Sequence, residues 1–142
     1  MDHNDETFIV IMQKDGETGF LDKELGCYKT DDESGMIFNT YAVEEDGQLF
    51  VYLKLTCDRD VEDWEYDAIF DYYDSETLLN DAISVDEEDG DFNPVWIVKF
   101  AFVDDVELME NKLTQLLDLH KKELKSVYET IADKKDEYSN AD

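Results

Sequence analysis

The sequence predicts an α+β domain, an antiparallel sheet of about five or six strands packed on one long C-terminal helix. Two observations carry that prediction. Short apolar runs, separated by turns rich in Gly and Asp, fill the first hundred residues. The stretch 104–138 then contains no Gly or Pro and repeats apolar residues at intervals of three and four. A length of 142 residues fits one domain with an ordinary core. Within it, 1–6 and 139–142 read as flexible tails, 7–103 as strand-rich and 104–138 as the helix.

Thr7 to Gln13 holds the continuous apolar run Phe8-Ile9-Val10-Ile11-Met12, of strand length. Asp15-Gly16 and Gly19 turn the chain into a weaker alternation from Phe20 to Lys29. After the turn cluster Asp31-Asp32-Glu33-Ser34-Gly35 a third strand runs from Met36 to Val43. Asp46-Gly47 closes a hairpin with Gln48 to Cys57, where Leu49, Val51, Leu53, Leu55 and Cys57 share one face. From Trp64 to Tyr73 the aromatics alternate with Glu65, Asp67 and Asp71, which predicts a fifth strand; a helix starting near Val61 is the alternative. Ser75 to Ile83 reads as a short helix capped by Asp74 or Ser75. The acidic run 86–91 reads as a loop, and Pro94 opens a sixth strand, Val95 to Val103. In the long helix, Asp104, Asp105 and Glu107 suit the start of the dipole, and Lys134 and Lys135 its end.

The first and sixth strands are apolar on both faces. Trp96, Val98, Phe100 and Phe102 point one way, Val95, Ile97 and Ala101 the other. A sheet with one wet face does not read like that, so a cover for the second face is expected. A homodimer would supply it, and intramolecular cover would do so equally well.

Several chemistries have no support in the sequence. Cys27 and Cys57 each continue an apolar alternation and read as core hydrophobes rather than a bridge or a zinc pattern. His3 lies in the tail and His120 on the apolar seam of the helix, where a packed, hydrogen-bonded role is expected over that of a catalytic base. No phosphate loop or nucleophile elbow occurs. The Asp/Glu-Gly turns fail the calcium-loop register, because Gly90 or Gly47 would put Val85 or Ala42 at the first ligand position. No catalytic residue, metal site or cofactor is therefore expected. The acidic start of the chain lacks the basic-then-apolar order of an export signal, and no apolar run reaches the ~18 residues of a membrane span. A cytoplasmic protein is expected.

Charge is the outlying property. Thirty-nine acids oppose twelve bases, a net charge of −27. Direct contact with a nucleic-acid backbone or an anionic membrane needs cations the chain lacks. The helical part from Asp105 onward carries only −4, leaving −23 on the rest. There, Asp58, Asp60, Glu62, Asp63, Glu65, Asp67, Asp71 and Asp74 crowd into seventeen residues beside Arg59 alone, and Asp86, Glu87, Glu88, Asp89 and Asp91 add five more. On a strand, Glu65 and Asp67 would share a face about 6.7 Å apart.

These residues are the expected contact surface of a non-enzymatic interaction protein with a basic protein partner. That partner could be a nucleic-acid-binding protein whose groove the acids occupy by mimicking phosphates, in the manner of anti-restriction or anti-CRISPR inhibitors. The competing reading is a cytosolic domain that binds a small molecule or cation, its acidity only a solvated surface.

Overall fold

A computed structural model describes residues 7–15, 17–30, 35–88 and 92–139. The chain order is β1 (Thr7–Lys14), β2 (Leu21–Thr30), β3 (Ile37–Glu45), β4 (Gln48–Thr56), α1 (Asp63–Tyr72), α2 (Glu76–Leu79), β5 (Ser84–Glu88), β6 (Val95–Ala101), α3 (Val106–Ile131) and α4 (Lys135–Ser139). The six strands form one sheet in the order β2-β1-β3-β4-β6-β5. The α+β class is as the sequence predicts, and the predicted strands at 7–13, 20–29, 36–43, 48–57 and 95–103 all form, within a few residues at each end.

Four features differ from expectation. The sheet is mostly antiparallel, but β1 and β3 run parallel, joined through Met12↔Tyr41 and Gln13↔Ala42 alone. The cause is topological. β2 ends with Thr30 beside Thr7, the first residue of β1, so β3 enters at that same end and must run in the same direction as β1. The segment 64–73 is helix α1, not a strand. Its buried positions Glu65, Ala68, Ile69 and Tyr73 follow helical spacing, while Trp64, Tyr66 and Phe70 lay long rings across the flanks. A carboxylate at a core position disguised the period. The run 86–91 is not all loop: Ser84–Glu88 is the edge strand β5, paired with β6 from Ser84↔Lys99 to Glu88↔Val95. Finally, the long helix stops at Ile131, about 39 Å from its start at 1.5 Å per residue. Lys134 N–H then bonds Ile131 C=O, and α4 turns back onto α1.

Local chemistry elsewhere follows the sequence. Asp46 (φ 53°) and Gly47 (φ 83°) give the two positive φ values of a tight hairpin turn between β3 and β4. Asp105 accepts Leu108 N–H at 3.0 Å at the start of α3, and Asp74 accepts Glu76 N–H at 3.1 Å at the start of α2.

The helices cover one face of the sheet. Ile11, Ala42, Val51, Leu53, Leu55, Trp96 and Val98 pack under Met109, Leu113, Leu116, Leu117, Leu124, Val127 and Ile131 of α3 and Ala68 and Ile69 of α1. Each of the larger aliphatic side chains among them contributes roughly 1.5–3 kcal/mol of burial free energy. α3 also reaches the β2 edge, where the Glu110 carboxylate accepts Lys29 N–H at 2.7 Å. A backbone donor on an edge strand is thereby tied to α3.

Among the described residues no helix covers the second face, and over its centre the cover is intramolecular. Lys99 Nζ lies 4.6 Å from the Phe50 ring centre and 5.5 Å from that of Tyr52. Lys14 Nζ lies 4.5 Å from the ring centre of Tyr41, which stacks on Tyr52 at 5.3 Å. Lysine stems thus roof the aromatics. Lys99 is held by Glu45 at 2.8 Å, Tyr52 donates to the same carboxylate, and Lys54 pairs with Glu88 at 3.2 Å. This roof stops short of β1, where Phe8 (59%) and Val10 (48%) are exposed.

Candidate functional site

Helix α1 sorts the acids between 58 and 74 by its period. Asp63, Asp67 and Asp71 recur every four residues, so they form one exposed column with steps of about 6 Å. No ion pair is made by Asp63 or Asp67 among the described residues. Tyr138 of α4 donates to Asp71 Oδ2 at 2.7 Å, which pushes the tyrosine hydroxyl above its ordinary range. Lys135 approaches Glu62 at 3.9 Å with both side chains well exposed, a weak pair. Glu62, Asp63, Trp64, Asp67, Lys135 and Tyr138 thereby line an open cleft of about 450 Å³ between α1 and α4. The exposed Asp136 and Glu137 of α4 lengthen the acidic surface. Tyr138, Lys135 and Trp64 were not legible as neighbours of these acids, because nothing in the periodicity shows that the chain folds back after Ile131.

The other predicted acids go elsewhere. Glu65 does not share a face with Asp67, since two helical residues lie about 200° apart. It is buried, with Arg59 donating to its two oxygens at 3.1 and 2.8 Å and Glu62 N–H at 2.9 Å. The guanidinium holds its carboxyl below the usual carboxylate range. Asp58 accepts Tyr128 O–H of α3 at 2.9 Å, and Asp60 accepts the Asn93 amide at 3.1 Å. Asp74 sits at the α1–α2 turn, with its own N–H on Glu123 at 3.0 Å. On β5, Asp86 and Glu88 stand opposite Ile97 and Val95 on the helix-free face, and Glu87 stands opposite Trp96 on the other. Asp89 and Asp91 lie outside the described residues. The proposed surface is therefore two surfaces, an acidic helix flank and a sheet edge, with Glu65 withdrawn from both.

Arg59 carries an additional role here. Its guanidinium lies 4.4 Å from the Tyr128 ring centre while forking onto Glu65, so it ties the start of α1 to α3. Arg59→Met is expected to lower the unfolding free energy by about 1–2 kcal/mol, because it leaves a buried carboxylate short of its charge-assisted bonds. Urea denaturation at pH 7 checks this. The pair change Arg59→Met/Glu65→Met should recover much of the loss.

Three further places hold reactive or concave chemistry. His120 is fully buried between Tyr73 and Trp96, and both ring nitrogens are engaged. Thr56 C=O, 2.8 Å from Nε2, can only accept, so Nε2 carries the proton and Nδ1 accepts Tyr73 O–H at 2.8 Å. Burial pushes the imidazole down to about 4. It is the packed histidine that its seam position indicates. Cys57 is buried as expected and its thiol is pushed up to about 12 by burial, but Cys27, also expected in the core, is exposed on β2, because its pairing with Val10 puts it on the helix-free face. A groove of about 510 Å³ at the β3–β4 end is lined by Met36, Asp58, Lys121, Leu124, Lys125, Tyr128 and Glu129. Among the described residues, no group of three or more His, Cys, Asp or Glu could hold a metal ion, and no helix is long and apolar enough to cross a membrane.

No curated protein and no solved structure matches the chain. A family defined by sequence does, across residues 4–139, and the chain therefore belongs to the family of unknown function DUF6762.

Proposed function

We propose that this protein is a non-enzymatic interaction protein that docks a basic protein partner on the acidic flank formed by α1 and α4. The column Asp63–Asp67–Asp71 carries the proposal. These carboxylates point outward at regular intervals; Arg59 is turned inward onto Glu65, and Lys135, the cation that shares their cleft, reaches only Glu62, at 3.9 Å. Lys54 and Lys99 are held by Glu88 and Glu45 on the opposite face of the sheet. Such a surface would steer a cationic partner and give salt-sensitive, fast association.

In its finer form the proposal is phosphate mimicry. One DNA strand presents about one phosphate per 3.4 Å of axis, so acids at ~6 Å steps supply roughly half that density along one line. Glu62 at the start of α1 and Asp136 and Glu137 on α4, all exposed, would supply a second line, partly offset by Lys135 and Lys134, which approach the two glutamates at 3.9 and 3.8 Å.

The test separates a docking site from mere net charge. One variant reverses Asp63, Asp67 and Asp71 to Lys, and a control reverses the exposed Asp118, Glu129 and Asp133 to Lys. Both change net charge by the same amount. Proteins retained by the immobilised wild type are identified, and their affinities for the two variants are compared at 0.15 M salt. The expected result is at least a tenfold loss for the column variant and less than threefold for the control. Equal losses would reduce the acidity to a solvated face. Retention of basic nucleic-acid-binding proteins, displaced by duplex DNA, would favour the mimicry form.

A further inference from the structure

The helix-free face of the sheet combines exposed apolar side chains with balanced charge, in a chain of net charge −27. The cross-strand registers place Lys14, Lys29, Lys54 and Lys99 on it, together with Glu24, Glu45, Asp86 and Glu88. A second copy would meet strong repulsion on approaching the acidic flank of α1, but not on approaching this face.

The pattern on the face is also self-complementary. Met12, Tyr41, Tyr52, Lys99 and Ser84 pair in turn across β1, β3, β4, β6 and β5, which sets one common level. Two residues below that level lie Val10 with its partner Cys27, and, across the sheet, Ile97 with Asp86. Four residues below lie Phe8 with Lys29, and Val95 with Glu88. A two-fold axis along the strands, between β3 and β4, exchanges β2 with β5 and β1 with β6. It would set Val10 against Ile97 and Lys29 against Glu88, each contact occurring twice, and would lay the exposed Phe8 over the start of β6, where Val95 itself is buried.

We propose that the helix-free face is a self-association surface on which two copies of this chain pack sheet to sheet about that axis. The roof of lysines over Tyr41 and Phe50 fills the middle, and the exposed Phe8 and Val10 fill the sides. Six strands about 4.8 Å apart and some eight residues long present roughly 750 Å². This approaches the ~800 Å² per partner of a stable interface. Aligned sheet packing is a standard arrangement. The acidic flanks of α1 would face outward on both sides of the pair.

Sedimentation equilibrium between 1 and 100 µM at 0.15 M salt reads the association, with far-UV circular dichroism confirming that each variant is folded. The wild type is expected to sediment as twice the chain mass. Val10→Asp, at a half-exposed site, should weaken association at least a hundredfold without unfolding the monomer. Lys29→Glu and Glu88→Lys should each weaken it about tenfold, and together should return it to within about threefold of wild type. The exposed thiol of Cys27 should also become protected from a maleimide as concentration rises, and should stay reactive in Val10→Asp. A wild-type monomer at 100 µM, a dimer that survives Val10→Asp, or a double variant no better than the singles would each overturn the proposal. None of these readouts depends on the acidic flank, so either proposal can fail alone.

Discussion

Replacing His120 with leucine is expected to lower the unfolding free energy at pH 7 by about 2–4 kcal/mol, although the two side chains are of similar volume. The loss comes from the partners. The buried Tyr73 O–H and the half-buried Thr56 C=O would each lose a bond of 2.8 Å, and a buried orphaned group costs roughly 1–3 kcal/mol. Trp96, stacked on Tyr73 at 4.2 Å, would lose its aligned neighbour as well. The wild type should also show a pH dependence that the variant lacks. His120 is neutral in the fold, with its pKa depressed to about 4, whereas an unfolded histidine titrates near 6.5. Between these values the unfolded chain binds the extra proton, so stability falls as pH drops through that window. The slope approaches 1.4 kcal/mol per pH unit, and the total is about 3 kcal/mol by pH 4. Relief of carboxylate repulsion acts in the opposite direction in both proteins, so the difference between the two curves is the diagnostic quantity. Urea denaturation from pH 7.5 to 4 should show the two curves converging. Parallel curves would mean that His120 is charged in the fold or reachable by water.

Much of this architecture was legible, and the rest failed for identifiable reasons. β2 to β4 announce themselves by alternating faces, β1 and β6 by apolar runs of strand length, and α3 by a seam from Met109 to Ile131 that needs no tertiary knowledge. α1 did not, because Glu65 occupies a position where the helical period expects an apolar residue, and its compensation by Arg59 is a tertiary fact. β5 did not, because Ser-Val-Asp-Glu-Glu has little strand propensity and is held by pairing with β6. The parallel β1–β3 contact has no local signature at all. For the acids, sequence could show that they cluster but not which way each one points. Once 63–72 is helical, a period of four residues selects Asp63, Asp67 and Asp71 and sends Glu65 inside.

That same period makes the acidic column unfavourable for the fold, and Asp67→Lys should expose the conflict. Asp63, Asp67 and Asp71 are two like-charged i,i+4 pairs, each opposing the helix by about 0.2–0.5 kcal/mol. A lysine at 67 converts both pairs to attraction, for a gain of about 1 kcal/mol and a melting temperature some 3–5 °C higher. Wild type should gain stability as salt is raised from 10 to 150 mM, where the screening length falls from ~30 to ~8 Å, and the variant should gain less. If the column docks a cationic partner, the same substitution should weaken that complex about tenfold or more, so stability and affinity would move in opposite directions. A surface that only keeps the chain dissolved would show the first effect without the second. Thermal melts in the salt series, set beside affinities for the retained partner, decide between them: a more stable variant with undiminished affinity would remove the docking role from α1. A variant no more stable than wild type would mean that Lys135 and Tyr138 already relieve the column, and that its charge is less free than the helix geometry implies.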